Sequence, residues 1–573
     1  MNKPLPNTLS KQQLFNALAD GQLLITVNNR LAAYYRRFYN QRQLQLGKKV
    51  WPSAEILPLQ SWLNQHSETL RSHQTNGWQV LNSQQERQVW IDIIEPDAYQ
   101  TYMMPASMIA TEVMQAARII QQWQIPLSAL ADFQTPESQA LAEWIQRFQM
   151  RCQQNHWLTA EQQMQQVTDG IRNQALTVEA DIILAGFQAP NRLHNRLFEA
   201  LEQQCESLSL VKADCINQTA KLQIARDFEE ELELAALWSK ALLLQGENNI
   251  GIVVPSLVEQ RQRVEETFNR ILHPERSRQA PPYSRANLYE ISIGRNLTEI
   301  ALISDALMAL QLLRRDISLT SLNRILTATY LSPEPHNLTD KLAMIDQLLR
   351  EHGRSKWRLS ALIKFLQHQN SDIVNALLEK LEQLQTLLAD QPARQSLFVW
   401  TEVFVKTWEL LGWPGKRTLS SDEYQQHQRL QTLLEDFCKI HSVHPSVDLN
   451  DALSLLRQLA TEGIFQPQSP TTPVQVMGLL EAADQQFDYL WISGLDDRTL
   501  PPSSAANAFI PLPLQRQYQV PHCSAERELQ FAANLLQSFY DNSAALILSH
   551  TEIDEDLEMR PSPLLTMFSL EKV

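Results

Sequence analysis

Apolar residues are distributed along this chain in two contrasting ways. Short unbroken runs, rich in branched side chains, occupy Leu23–Val27, Asp181–Phe187, Ser207–Lys212, Ile250–Pro255, Val474–Leu480, Tyr489–Leu495 and Ala545–Ser549. A strand covered by helices on both faces gives this kind of run, because neither face meets water. Between the runs, apolar residues recur at helical spacing against glutamine-rich polar faces, and glycine is scarce. The runs form two groups, one before about residue 230 and one after about residue 245. The pattern predicts an α/β chain with two parallel-sheet domains, each interrupted by a mainly helical subdomain. The first domain is expected over 1–60 and 179–230 around an insertion at 61–178. The second is expected over 231–299 and 466–573 around an insertion at 300–465.

The first run, Leu23-Leu24-Ile25-Thr26-Val27, leads through Asn28-Asn29-Arg30 into an amphipathic helix. A phosphate-binding loop at such a strand-to-helix junction needs glycines, so that backbone amides can wrap the phosphates, followed by Lys and Ser/Thr. No glycine lies between Gly21 and Gly47. The pairs Gly47-Lys48 and Gly415-Lys416 lack a glycine five positions earlier. Asn28, Asn29 and Arg30 therefore read as a degenerate nucleotide position, and no catalytic residue, cofactor or ATP hydrolysis is expected.

The same segment carries a second pattern. From Gly21 to Ala54 there is no acidic residue, while Arg30, Arg36, Arg37, Arg42, Lys48 and Lys49 accompany Tyr34, Tyr35 and Trp51. Cations with aromatics suit a single nucleic-acid strand, through phosphate contact and base stacking. A solvated basic helix face above core aromatics accounts for the same residues.

Charge complicates the DNA reading. The formal net charge is −15, from 49 Lys+Arg against 64 Asp+Glu. A stand-alone DNA-coating protein needs cations to replace counterions, so global charge favours local DNA contacts, work inside a complex, or a protein scaffold. The five cysteines show no Cys-x-x-Cys pair, and the histidines show no metal-ligand spacing. No metal site is expected, and Cys205 and Cys215, flanking a predicted strand, read as structural. Glu229-Glu230-Glu231 and Asp496-Asp497 fit helix starts and turns. No apolar run approaches the roughly 18–20 residues needed to cross a bilayer, and Met1–Pro6 leads into a polar helix rather than a secretory core. A cytoplasmic protein without a membrane partner is expected.

Several segments in order resemble a known family. They are Leu23–Ala32; Trp51-Pro52, Ile56-Leu57-Pro58 and Trp62; and Asp181-Ile182-Ile183-Leu184-Ala185-Gly186-Phe187. Further along come Phe228–Leu232, Gly251–Pro255, Ser292–Leu297, Gly412–Arg417 and Asp422–Gln425. The densest are Val476–Asp484 and Phe487–Asp496, with Pro501, Pro511-Leu512-Pro513 and Ala525–Glu528 after them. Together they resemble the inactivated superfamily-1 helicases related to the B subunit of the AddAB helicase–nuclease, in particular the proteobacterial "probable DNA repair protein" group. The resemblance implies two RecA-like, P-loop NTPase-like domains. It also implies that Asp181–Phe187 stands where active relatives end a strand in Asp-Glu to hold magnesium. Here that strand ends in Gly186-Phe187. The arginine expected about ten residues after Glu526–Glu528 is absent from Leu529–Phe539, and it normally stabilises the phosphoryl transition state.

Relatives continue into a RecB-type nuclease, which needs an acidic-x-Lys pair beside a further Asp. No lysine here has Asp or Glu two positions before it, so this chain is expected to lack the nuclease. The functional expectation is a non-catalytic DNA-repair and recombination module that binds single-stranded or forked DNA with a partner helicase or nuclease. The alternatives are the N-terminal part of an AddB-like exonuclease and a protein–protein scaffold without DNA contact.

Overall fold

The computed structural model describes residues 7–72, 77–101, 104–133, 135–212, 220–274, 287–331, 339–369, 372–415, 417–467, 472–554 and 556–572. Cys215, Lys416 and the Met1–Pro6 leader lie outside the described residues. The chain divides into two compact units, Met1–Ile293 with Ser469–Val573, and Gly294–Gln468.

The first unit is built on two wholly parallel sheets. Strands β1 (Asn7–Leu9), β2 (Leu23–Thr26), β3 (Ile56–Pro58), β4 (Asp181–Ala185) and β5 (Ser207–Val211) form a five-stranded sheet in the order β1-β5-β4-β2-β3. Strands β6 (Ala220–Ala225), β7 (Ile250–Val253), β8 (Tyr289–Ile291), β9 (Val474–Met477), β10 (Phe487–Ile492), β11 (Ser543–Thr551) and β12 (Glu571–Lys572) form the second, in the order β8-β9-β7-β10-β11-β6-β12.

The sheet centres match their sequence. Every residue of β2 and β7 is buried, as expected where helices cover both faces. One face of the first sheet packs Leu23, Ile25, Ile182 and Leu184 on Trp62, Leu63, Val167 and Leu197. The other packs Leu24 and Ile183 on Leu14, Leu31, Tyr35 and Tyr39. Burying an aliphatic side chain of this size is worth about 1.5–3 kcal/mol, so these strand centres dominate the local energetics.

One expected boundary is corrected. Residues 220–225 were expected in the first domain, but β6 pairs with β11 in register from Ala220↔Leu546 to Ala225↔Thr551. Its polar Lys221 and Gln223 break the unbroken apolar pattern, so composition gave no sign of a strand, still less of which sheet it joins. Strands β1, β3 and β8 were also not read as strands. Each has three residues, too short for a periodicity to register.

Between β3 and β4 the chain is largely helical. The helices Ser83–Thr101, Ala106–Trp123, Pro136–Asn155 and Ala160–Arg172 lie here, with a two-stranded parallel ladder of Gln79–Val80 and Trp157–Leu158. Their core stacks Trp90 on Phe148 at 4.2 Å, and Arg118 meets the buried Glu86 at 2.7 Å.

The second unit is also mainly helical, with short antiparallel ladders at 295–296/464–465, 317–318/356–357 and 394–395/447–448. Helix starts follow side-chain capping rules: Ser396 accepts from Val399, and Ser420 forms a reciprocal capping box with Glu423. Among the described residues, no helix is long and apolar enough to cross a membrane.

Candidate functional site

In open parallel sheets, ligands bind in the crevice beyond the carboxyl ends of the strands. In the first unit, the segments that follow β2 and β4 contact several segments of the second sheet, some after its strands and some before them. Asn28 caps the helix Asn29–Gln45 by accepting from the Leu31 amide at 2.9 Å, and Thr26 Oγ1 donates to the Asn28 carbonyl at 2.9 Å. The first helical amides, which would face a phosphate in a nucleotide-binding loop, are thus partly committed to the chain itself.

The neighbouring strand end packs closely against this turn. Gly186 follows β4 with φ +87°, a conformation that glycine adopts at little cost. A Cβ built there would lie 2.6 Å from Val27 Cγ1 and 2.7 Å from Leu31 Cδ2. Val27 and Leu31 therefore pack directly on the backbone at Gly186. Phe187 turns back into the core, edge-on to Phe198 at 5.1 Å and His194 at 5.8 Å. Burial holds the His194 imidazole down at about 4, so it stays neutral at physiological pH.

Arg30 crosses to the second sheet. Its Nη2 donates to the Ser292 carbonyl, just after β8, at 2.6 Å. Its Nη1 pairs with Glu481, just after β9, and Ser292 Oγ donates to the same carboxylate. Burial lowers the guanidinium pKa, while Glu290 pulls it back up. Nearby, the Gln486 amide donates to Tyr34 Oη at 3.2 Å, and Gln188 Nε2 bridges Asp484 (2.6 Å) and Ser538 (3.0 Å). Burial pushes the Asp484 carboxyl up, against the Gln188 hydrogen bond. The crevice is laced by side chains of this chain.

Not all the residues expected to hold DNA are available for it. Arg30 is committed to Glu481 and Ser292. Tyr35 is buried, and burial raises its phenol well above the ordinary value. Trp51 is half-buried on the helix core and donates to Asn40 at 2.8 Å. Arg36 is exposed but donates to the Ile56 carbonyl at 2.5 Å. Arg42 is exposed and bonds Gln12 and Gln45. Arg37, Lys48 and Lys49 are exposed, with no ion pair or side-chain hydrogen bond to the described residues. The helix supplies an exposed basic face, whose cations suit phosphate contact.

The acidic runs resolve differently from each other. Asp496 accepts from the amides of Arg498 and Thr499 and from Thr499 Oγ1, closing a turn. Glu231 lies in the first turn of the helix Phe228–Leu244 but is fully buried. It accepts from Ser549 Oγ at 2.6 Å and the Gly494 amide at 3.0 Å. Burial pushes its carboxyl up to about 7. Its position beside Glu229 and Glu230 in the sequence carries no signal of this burial. Among the described residues, no group of three or more His, Cys, Asp or Glu is placed to hold a metal ion. Cys205 is half-buried, with its thiol pushed up to about 11 by burial, which leaves it unreactive at neutral pH.

A basic cluster in the second unit escaped the sequence reading. Arg354, Lys356 and Arg358 line one recess of about 460 Å³ with Asp316, Gly353, Ser355 and Ala361. The signal was available: Arg350, Arg354, Lys356, Arg358 and Lys364 stand against a single acid, Glu351, within 350–364.

No protein-family model matches the chain, and no curated protein matches it. The fold defines a mixed α/β protein with two parallel sheets, bridged by hydrogen bonds and an ion pair of Arg30.

Proposed function

We propose that this chain is a non-catalytic, helicase-like module that binds single-stranded or forked DNA and works beside a partner helicase or nuclease in DNA end processing. On this reading its two parallel sheets are RecA-like domains that keep the body of a motor without its nucleotide chemistry. The packing at the first strand end supports the proposal: Val27 and Leu31 abut Gly186, and Arg30 is tied to Ser292 and Glu481, an arrangement unlike a glycine-rich phosphate loop. The exposed cations of the helix Asn29–Gln45 and the segment following it support contact with a phosphate backbone.

The acidic net charge of −15 supports a second reading, a protein scaffold without DNA contact. Anisotropy titrations of labelled single-stranded and forked DNA at low and moderate salt, run beside an ATP-turnover assay, separate them. The proposal expects salt-sensitive binding and no DNA-stimulated turnover. Absence of binding at every salt concentration favours the scaffold, and a clear stimulated turnover overturns the reading of the crevice.

A further inference from the structure

The recess on the second unit has a regular geometry. Lys356–Trp357 pairs antiparallel with Ile317–Ser318, and Arg358 continues in extended conformation (φ −90°, ψ 145°). Side chains alternate along an extended chain, about 6.6 Å apart on each face. Trp357, between the cations, is buried against Phe365 and His352 at 5.1 and 5.2 Å, while Arg354, Lys356 and Arg358 line the recess. Arg354, outside the ladder, lies 5.5 Å over the Trp357 ring, so the buried indole ties it to the strand that carries Lys356.

The cations are largely uncommitted. Arg354 and Lys356 form no ion pair with the described residues. Arg358 meets Asp316 at 3.7 Å with both side chains more than half exposed, an arrangement worth about 0–1 kcal/mol and easily exchanged. Ala361 is the only apolar residue of the lining. A protein partner is usually anchored by buried aromatic or apolar contacts, which this recess does not provide, whereas a phosphate backbone requires only cations. Lys356 and Arg358, two residues apart on an extended segment, are spaced by about 6.6 Å, and Arg354 adds a third cation to the same recess.

We infer that Arg354, Lys356 and Arg358 form a phosphodiester-binding site for single-stranded nucleic acid, read through the backbone rather than the bases. The inference rests on the DNA-binding function proposed above and places a contact of that function on the second unit.

Binding of labelled oligothymidylate to the full chain, measured by anisotropy between about 50 and 200 mM salt, tests it. Each single-strand phosphate contact contributes about 0.7 to the salt slope, hence about 0.7 decade of affinity at 0.1 M relative to 1 M. The variant R354E/K356E/R358E should lower the slope by about 2 and weaken binding on the order of 100-fold near 0.1 M salt. The neutral variant R354Q/K356Q/R358Q should lower both in the same direction, and decides the matter if circular dichroism shows the Glu variant misfolded. Unchanged affinity and slope, with the parent still binding, overturns this site and leaves the DNA-binding function standing. A parent chain that binds no oligonucleotide even at low salt removes both. Polyglutamate that competes as well as unlabelled oligothymidylate, with the same dependence on the three residues, overturns the nucleic-acid assignment in favour of an acidic protein.

Discussion

Replacing Glu231 by Gln tests the buried network behind the second sheet with a change of one charge and almost no volume. Glu231 has no solvent exposure. One carboxyl oxygen accepts from Ser549 and Gly494, the other has no partner among the described residues, and Ser549 Oγ itself accepts from Trp491 Nε1 at 2.8 Å. Burial, opposed by those two hydrogen bonds and assisted by the charge of Asp496, moves the carboxyl from 4.5 to about 7. At about 1.4 kcal/mol per pH unit, this difference corresponds to about 3 kcal/mol. The folded state then holds a proton that the unfolded state releases between those values. The stabilisation is therefore complete below about pH 4.5 and is lost as pH rises through about 7. Gln keeps the accepting oxygen and places its amide where the partnerless oxygen stood, neutral at every pH. Urea unfolding followed by tryptophan fluorescence should give parent and variant similar stability at pH 5. At pH 8 the variant should be more stable by about 3 kcal/mol. A variant destabilised equally at both pH values would refute the reasoning, because it would mean that the carboxylate is ionised and satisfied when folded.

Other outcomes follow from the same geometry. Gly186→Ala combines a left-handed backbone with overlap against Val27 and Leu31 and should cost about 2–4 kcal/mol; unchanged stability in urea would show that the strand end is not packed as described. Arg30→Ala removes a partly exposed pair and a hydrogen bond and should cost about 1 kcal/mol. It should not create nucleotide binding, since Val27 and Leu31 still pack on Gly186; a fluorescent nucleotide that binds this variant would contradict the proposed non-catalytic reading. Arg36→Glu with Arg37→Glu should lower the salt slope for single-stranded DNA by about 1, and an unchanged slope would remove the basic helix from the interface. Glu423 is held down at about 2, chiefly by Arg417, with hydrogen bonds from Ser420 and Tyr330 adding to the effect. Its contribution is present above about pH 4.5 and lost as pH falls through about 2. Glu423→Gln should therefore weaken the second unit at pH 7 by about 2 kcal/mol and by much less at pH 2.5, as read by circular dichroism in urea.

The buried strand centres were legible in the sequence: Leu23–Thr26 and Ile250–Val253 are strands buried throughout, and so short an apolar run, rich in branched residues, has no polar side to present to water. Asn28 at the helix start, with no glycine nearby, already argued against a phosphate cradle, since that chemistry depends on local backbone freedom. Which residues contact one another across the two sheets was decided by tertiary structure. The contacts of Arg30 with Ser292 and Glu481 join residues more than 250 positions apart in the chain, and no local pattern encodes which distant carbonyl a guanidinium reaches. Burial likewise separated Glu231 from its neighbours Glu229 and Glu230 and withdrew Tyr35 and Trp51 from the basic face. The assignment of Ala220–Ala225 to the second sheet has the same cause: strand pairing is a long-range choice made by β11, not by the six residues that it captures.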